Sequence, residues 1–167
     1  MFFLRPIGVF LTVVTAVLAL GCEAPATQPA LPDPQQAQEW FGEGTQVALE
    51  GDVLVITGTI EADYLRRGGR IWARSGPYFY LFNIKVREFF TNHPGLTGVK
   101  ATAVTEDGRV LATATVHRNG LNELRWQEAL ARASLAQTEG TDNPRLVERL
   151  IQFGEDHTEF EYAEGVR

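Results

Sequence analysis

The sequence is poor in the residues that crosslink or metallate small domains. It has one cysteine and three histidines among 167 residues. One cysteine cannot form an internal disulfide, and three scattered histidines give no structural zinc site of the usual spacing. The sequence contains 15 Lys and Arg residues and 21 Asp and Glu residues, which gives a formal net charge of -6. Because a phosphate-tracking protein needs a clustered basic excess, this balance argues against nucleic-acid binding.

Motifs of the common enzyme classes are also scarce. Neither of the two serines, Ser75 and Ser134, lies in a nucleophile-elbow context. The glycines around Glu43 do not continue into a Walker loop or a dinucleotide fingerprint. Glu155-Asp156-His157 is a candidate metal contact, but in an acidic tail we interpret it as solvated charge. We therefore predict a non-enzyme that holds neither a cofactor nor a metal.

The first residues have the composition of an export leader. Arg5 precedes an apolar run, Ile7 to Leu20, which Gly21-Cys22 closes. About 14 apolar residues fit a signal-peptide core and fall short of the ~20 that a transmembrane helix needs. We predict that residues 1–21 are a leader and not a membrane span.

The segment Leu18-Ala19-Leu20-Gly21-Cys22 resembles a bacterial lipobox. In that motif signal peptidase II cuts before the cysteine, whose sulfur receives a diacylglycerol. Ala19 stands where a large aliphatic residue is usual. The alternative is an ordinary leader in which Cys22 is incidental. The resemblance implies a lipid-anchored bacterial envelope protein, and we expect the outer membrane facing the periplasm rather than the inner membrane.

The remaining chain divides into three parts by composition. Residues 22–39 are rich in proline and glutamine, and such a segment is expected to stay extended as a linker. Residues 40–155 provide one small domain. Residues 156–167 form an acidic tail that we expect to be loosely ordered, although Phe160 and Tyr162 could form a short strand.

Two stretches alternate as hairpins do. In Val99 to Val116, Asp107-Gly108 is a turn signal. One face of that hairpin is almost all alanine and valine: Val99, Ala101, Ala103, Thr105, Val110, Ala112, Ala114 and Val116. Gln46 to Ile60 turns around Glu50-Gly51-Asp52 and is apolar on both faces, which predicts the more central pair. The fold class predicted is α+β, with antiparallel hairpins packed in two layers against helices.

Helical spacing predicts the helices. The sequence Ser75-Gly76-Pro77 favours a helix start. It is followed by one apolar stripe at helical spacing, which ends before Asn92-His93-Pro94-Gly95. Asn122 is expected to cap a second helix, and Asn143-Pro144 to open a third. A weaker helix is expected over residues 61–74, interrupted at Gly68-Gly69.

The order of a helix, a hairpin and a second helix resembles the BON family, small α/β modules of bacterial envelopes. The matching residues are Ile84 to Phe90, Val99 to Val110, and the alanine-rich helix around Ala129, Ala131 and Ala133. Ala114 stands where the family has a strand glycine, and the closing strand is missing. The hairpin Gln46 to Ile60 repeats the alternating pattern. The sequence therefore leaves open whether the domain is two tandem modules or a single sheet. The resemblance implies a lipoprotein that binds anionic phospholipid and supports envelope integrity.

Two arginine-rich segments are candidate lipid- or anion-binding sites. The first contains Arg66, Arg67, Arg70, Trp72 and Arg74. If this segment were one helix, Arg66, Arg70 and Arg74 would align at intervals of four and could face phosphate. The alternative is a solvated face paired with the chain's own acids.

The second candidate is the helix that the family resemblance places near the bilayer. It contains Arg125, Trp126 and Arg132, with Trp126 alternatively a core residue. We expect a membrane-anchored, non-enzymatic envelope lipoprotein. The alternative is an accessory subunit of an envelope export or assembly complex, with Tyr78, Tyr80 and Phe82 as its protein contact.

Overall fold

The computed structural model describes residues 30–42 and 44–166. In chain order its elements are α1 (Pro34–Phe41), β1 (Thr45–Glu50), β2 (Val53–Thr59), α2 (Ala62–Gly68), α3 (Arg70–Leu81), α4 (Ile84–Asn92), β3 (Gly98–Val104), β4 (Val110–His117), α5 (Glu123–Glu139), α6 (Pro144–His157) and β5 (Glu159–Tyr162). This arrangement confirms the α+β class.

The strands form one sheet in the order β1-β2-β3-β4-β5. Both predicted hairpins are present as antiparallel pairs, and β5 adds antiparallel to β4. Strands β2 and β3 pair in parallel, because the helical segment α2–α4 carries the chain back across the sheet before β3 begins. The two hairpins therefore share a single mixed sheet.

The prediction that the first hairpin is central is wrong for β1, which lies at a sheet edge. Val47 and Leu49 of β1 are only half-buried, whereas Leu54 and Ile56 of β2 are fully buried. Gln38 of α1 closes this edge. Its side-chain amide donates to the Thr45 carbonyl at 2.7 Å and accepts from the Val47 N–H at 2.8 Å.

Helix α1 replaces part of the predicted linker. The expected extended segment, residues 22–39, overlaps α1 from Pro34 onward, and Ala37 is fully buried. Asp33 accepts a hydrogen bond from the Gln35 N–H as the N-cap, and proline occupies the first helical position. Ala37 and Phe41 pack against the core, and this packing stabilises α1 although most of its residues are polar. Residues 22–29 lie outside the described range.

The predicted helix from Ser75 to Phe90 is two helices with a different start. Helix α3 begins at Arg70 and continues through Pro77, whose fixed φ is compatible with helix and whose burial outweighs one missing hydrogen bond. It ends at Phe82. Asn83 then caps α4, with its side chain accepting from the Lys85 N–H at 2.9 Å.

The two later helices form as predicted. Asn122 caps α5 through a hydrogen bond from the Arg125 N–H, and α6 begins at Pro144.

In the second hairpin the register shifts next to Val104, so that Leu111 turns inward and Val110 is 47% exposed. A β-bulge at this point explains why Val110 does not face the core as predicted.

The C-terminal segment is ordered, contrary to the loose tail that the sequence suggested. Helix α6 runs to His157, and β5 contains the Phe160 and Tyr162 that had favoured a short strand. The Ala163 N–H donates to the Leu111 carbonyl at 2.9 Å, and Tyr162 is buried. Its acidic residues lie mostly at exposed positions of β5 and the following turn.

Small side chains bring helix α3 close to the sheet. Helix α3 lies against β3 and β4, α6 packs on α3, and α5 packs on α6. A Cβ at Gly76 would lie 2.9 Å from Ala103 Cβ and 2.9 Å from Ile60 Cδ1. The absence of a side chain at Gly76 therefore sets this close approach.

Candidate functional site

The main candidate is a cleft of about 410 Å³ beside the end of β2, which we call the aromatic cleft. It is lined by Trp40, Phe41, Thr59, Ile60, Glu61, Tyr64, Trp72, Gly76, Phe79, Tyr80, Asn83, Gln137 and Thr141. Six of these are aromatic, and they come from α1, α2 and α3. The volume falls within the range of ligand-binding pockets.

The turn between α2 and α3 builds one wall of the aromatic cleft. Gly69 has φ +48°, which ends α2 and redirects the chain into α3. The rings of Tyr64 and Trp72 consequently lie 5.3 Å apart, and those of Trp72 and Phe79 lie 6.4 Å apart. The wall therefore presents neighbouring aromatic rings from two helices.

Tyr80 of α3 lines the cleft and packs against Gly58 of β2. A Cβ at Gly58 would lie 2.1 Å from the Tyr80 hydroxyl oxygen, so the phenol occupies the space that a larger residue would need. Burial raises the pKa of Tyr80 above its usual value. The hydroxyl has no hydrogen-bond partner within the described part of the chain.

Glu61 gives the aromatic cleft its charge. Glu61 carries the single formal charge among the lining residues and forms no side-chain hydrogen bond or ion pair with any described residue. Asn83, Gln137 and Thr141 add uncharged polar groups. The cleft thus combines aromatic walls with one acid and no lining base.

The predicted arginine row does not form. Gly69 breaks the helix between Arg66 and Arg70, so Arg66, Arg70 and Arg74 do not share one helix face. Arg66 pairs with Asp63, and Arg74 donates to Glu155 at 2.5 Å. Arg70 is exposed in the first turn of α3. The side chain of Arg67 lies outside the described part, and Trp72 lies in the wall of the aromatic cleft.

Arg74 belongs to a second group of polar residues, two of them buried and two half-buried, which we call the tyrosine cluster. The Tyr78 and Tyr162 hydroxyls lie 2.9 Å apart, and the Tyr162 hydroxyl donates to Glu155 Oε1 at 2.9 Å. The hydrogen bond from Arg74 to the same oxygen raises the pKa of Arg74, and burial raises that of Tyr162 to about 12. Burial also raises the pKa of Tyr78.

The tyrosine cluster corrects two expectations. Tyr78 and Phe82 are core residues, so of the three aromatics predicted to contact a protein only Tyr80 reaches the cleft. Glu155 is paired with Arg74, and His157 stacks on Phe153 with centroids 4.2 Å apart. Neither residue is the freely solvated charge predicted. Among the described residues no three His, Cys, Asp or Glu side chains are grouped to hold a metal ion.

The predicted site on α5 divides between core and surface. Trp126 is 5% exposed and contacts Phe90, so it is the core residue of the alternative interpretation. Glu128 binds both arginines, at 2.8 Å from Arg125 and 2.7 Å from Arg132. These hydrogen bonds lower the pKa of Glu128, and the hydrogen bond from Arg132 has the larger effect.

Beside these arginines lies the α5–α6 groove, formed by two adjoining depressions of about 310 and 320 Å³. Its lining residues are Arg125, Glu128, Ala131, Arg132, Leu135, Leu146, Arg149, Gln152, Phe153, Asp156 and His157. Arg149 forms no ion pair with any residue that the structure describes. The groove is therefore lined by three arginines and two acids, together with apolar side chains.

Sequence reasoning missed the aromatic cleft. Its residues come from four separated segments, and their convergence depends on the parallel pairing of β2 with β3 and on the turn at Gly69. The available signal was local, two glycines between Tyr64 and Trp72. Cys22, the predicted lipidation site, lies outside the described residues.

No protein-family model, curated protein or solved structure matches this chain. The resemblance to the BON family therefore stays a prediction. Helices α1–α6 include none that is both long and apolar enough to cross a bilayer.

Proposed function

We propose that this protein is a lipid-anchored, non-enzymatic component of the bacterial cell envelope whose domain binds an anionic bilayer surface. Cys22 carries the anchor, and the protein resides at the outer membrane, facing the periplasm. The lipobox-like sequence before Cys22 supports the anchor. The exposed surface of α5 supports the lipid contact and carries the proposal.

The exposed surface of α5 joins leucine with arginine. Leu124 is 70% exposed and Leu135 46% exposed, and their spacing of eleven residues places them on one face of the helix. Arg125 and Arg132 lie along one side of this face, toward α6. Leucine can enter the apolar boundary of a bilayer while arginine pairs with lipid phosphate, each base contributing on the order of 1 kcal/mol.

The chain enters the domain at the same end as the start of α5. The Gly95 N–H donates to the Ala30 carbonyl at 3.0 Å, so the segment from Cys22 arrives near the end of α4. Glu123 of α5 binds Arg87 of α4 at 2.7 Å. A lipid anchor therefore brings the first turn of α5 near the membrane.

Vesicle sedimentation tests the lipid contact without the anchor. The mature chain carrying Cys22→Ser is mixed with phosphatidylglycerol or phosphatidylcholine vesicles, and binding to the anionic vesicles alone is expected. Glu128→Gln releases Arg125 and Arg132 and should strengthen binding. Glu139→Gln, which removes the same charge from an exposed position of the same helix, is the matched control and should change binding less.

Two results would contradict the proposal. Equal binding, or equal failure to bind, on both kinds of vesicle removes the anionic-lipid contact. An N-terminal peptide of the native mature protein with the mass of an unmodified thiol removes the anchor.

A second candidate function is an accessory subunit of an envelope export or assembly complex. Trp40 of α1 and Ile84 of α4 are both exposed large apolar residues. Lys85 Nζ lies 4.6 Å from the Trp40 ring centroid, which places the two helices side by side. A photocrosslinker at Ile84 is expected to capture one defined envelope protein in cells, and capture of lipid alone would contradict this function.

A further inference from the structure

We propose that the aromatic cleft is a binding site for a small organic ammonium ion, with Glu61, Tyr64 and Trp72 forming the cation site and Ile60 and Phe79 contacting the apolar part of the ligand. This inference is independent of the anionic-lipid contact, because it concerns a different face and the opposite charge.

The walls of the cleft favour a cation. Tyrosine and tryptophan rings carry negative potential on their faces and attract ammonium groups within about 6 Å of the ring centroid. The Tyr64 and Trp72 rings lie 5.3 Å apart with their planes inclined at 57°, so they contact each other and form one aromatic surface of the cleft. The protein already uses this interaction at one end of the cleft, where the Lys85 ammonium lies over Trp40.

The charges around the cleft favour the same ligand. Glu61 immediately precedes α2, and the Tyr64 N–H donates to its backbone carbonyl, so the acid lies within one turn of the Tyr64 ring. Two of the bases near the cleft are already paired with acids, since Arg66 binds Asp63 and Lys85 binds Glu88 at 3.0 Å. An anionic ligand would meet Glu61 with no lining base to compensate it.

The size and lining of the cleft favour a small molecule with an apolar part. A volume of about 410 Å³ is at the lower end for ligand pockets. Ile60, Gly76 and Phe79 give apolar contact, while the Tyr80 hydroxyl and Gln137 can donate to a polar substituent. Burying an ammonium group here is acceptable because the rings and the carboxylate replace part of its hydration.

Three isosteric probes test the charge preference. Choline, the uncharged 3,3-dimethylbutan-1-ol and the anionic 3,3-dimethylbutanoate are each titrated into the full chain in a non-ionic detergent. Binding is followed by the indole N–H resonances of the three tryptophans. Choline is expected to shift the Trp72 resonance saturably, while Trp126, which is buried and does not line the cleft, stays unchanged.

Variants locate the site. Glu61→Gln and Tyr64→Leu should each weaken choline binding about tenfold, since each removes one stabilising contact of the cation. Both residues are exposed, so the fold should survive. Glu164→Gln, an exposed acid outside the cleft, is the matched control and should bind choline as the native chain does. An equal response to choline and its uncharged isostere, a stronger response to the carboxylate, or no saturable shift would overturn the proposal.

Discussion

The hydroxyl groups of Tyr78 and Tyr162, 84 residues apart in the chain, lie 2.9 Å from one another in the interior. This contact joins α3 to β5, and Glu155 extends it to α6 by accepting from the Tyr162 hydroxyl. The C-terminal strand is thereby held by side chains as well as by its backbone pairing with β4.

Removing the carboxylate of this cluster should destabilise the protein. Glu155→Ala leaves the Arg74 guanidinium and the Tyr162 hydroxyl without their shared acceptor. A hydrogen bond to a charged group contributes about 1.5–3 kcal/mol, and Arg74 remains one-third exposed, so we expect a loss of about 1–2 kcal/mol. Urea unfolding measures it. Glu164→Ala, at an exposed position in the turn after β5, should change stability by less than about 0.5 kcal/mol.

Hydrogen exchange separates local from global effects of that change. Glu155→Ala should speed exchange of the Ala163 N–H, which donates to the Leu111 carbonyl beside β5. Unchanged exchange at Ala163 together with unchanged stability would show that the cluster does not hold the strand.

The tyrosine cluster should also make folding sensitive to alkaline pH. The folded-state pKa values of Tyr78 and Tyr162 are raised, that of Tyr162 to about 12, above the value near 10 of an unfolded chain. The stability that these protonated phenols contribute is fully present below about pH 10. It is lost as pH rises through the folded-state values, at up to about 1.4 kcal/mol per pH unit for each group.

Urea unfolding at several pH values between 9 and 11.5 measures this loss. Tyr162→Phe removes one titrating group, so its stability should fall less steeply with pH although it starts lower. If the native protein and Tyr162→Phe lose stability in parallel above pH 10, the phenol of Tyr162 is not responsible.

Gly58 should not tolerate alanine. Its Cβ would lie 2.1 Å from the Tyr80 hydroxyl oxygen and 2.3 Å from Tyr80 Cζ, so the ring must move. Overpacking of this kind costs about 1–3 kcal/mol. Gly98→Ala is the matched control, because Gly98 is also a strand glycine but the nearest atoms to its Cβ are at 3.5 Å. Thermal unfolding of both variants should give a clear drop for Gly58→Ala alone.

A second change at the same contact tests the cause. Tyr80→Leu removes the phenol from the space beside Gly58, and adding Gly58→Ala to it should cost less than in the native protein. Additive losses in the double variant would show that Tyr80 is not the obstacle.

Gln38 should protect the edge of the sheet. Gln38→Ala leaves the Thr45 carbonyl and the Val47 N–H without the amide that binds both, at an expected cost of about 1–2 kcal/mol. An uncovered strand edge also promotes self-association. Gln36→Ala, at an exposed position of the same helix, should change neither property. Thermal unfolding and light scattering measure the two effects, and equal behaviour of the two variants would contradict this role.

The sequence predicted the elements whose signals are local. Asn122 and Asn143-Pro144 mark the starts of α5 and α6, and Asp107-Gly108 marks a hairpin, because caps and tight turns depend on a few adjacent residues. The break at Phe82–Asn83 lies inside an aromatic stripe that continues on both sides, so periodicity alone gave one helix.

Features set by distant contacts could not be predicted. The parallel pairing of β2 with β3 joins strands separated by three helices. Arg74 was expected to face phosphate, but Glu155, 81 residues later, binds it. Trp72 was grouped with arginines by position in the chain, whereas the turn at Gly69 places it opposite Tyr64 and near Glu61.

If Cys22 carries the lipid anchor that we propose, the two ends of the sheet lie at different distances from the point of attachment. Ala30 lies beside Gly95, just before β3 begins, and the aromatic cleft opens where the parallel β2 ends, about 20 Å further along the strands. The eight-residue leash between Cys22 and Ala30 can extend at most roughly 29 Å. Under the anchoring that we propose, this length limits how far Ala30 and the adjoining start of β3 can lie from the bilayer, and the aromatic cleft lies one strand length from that point.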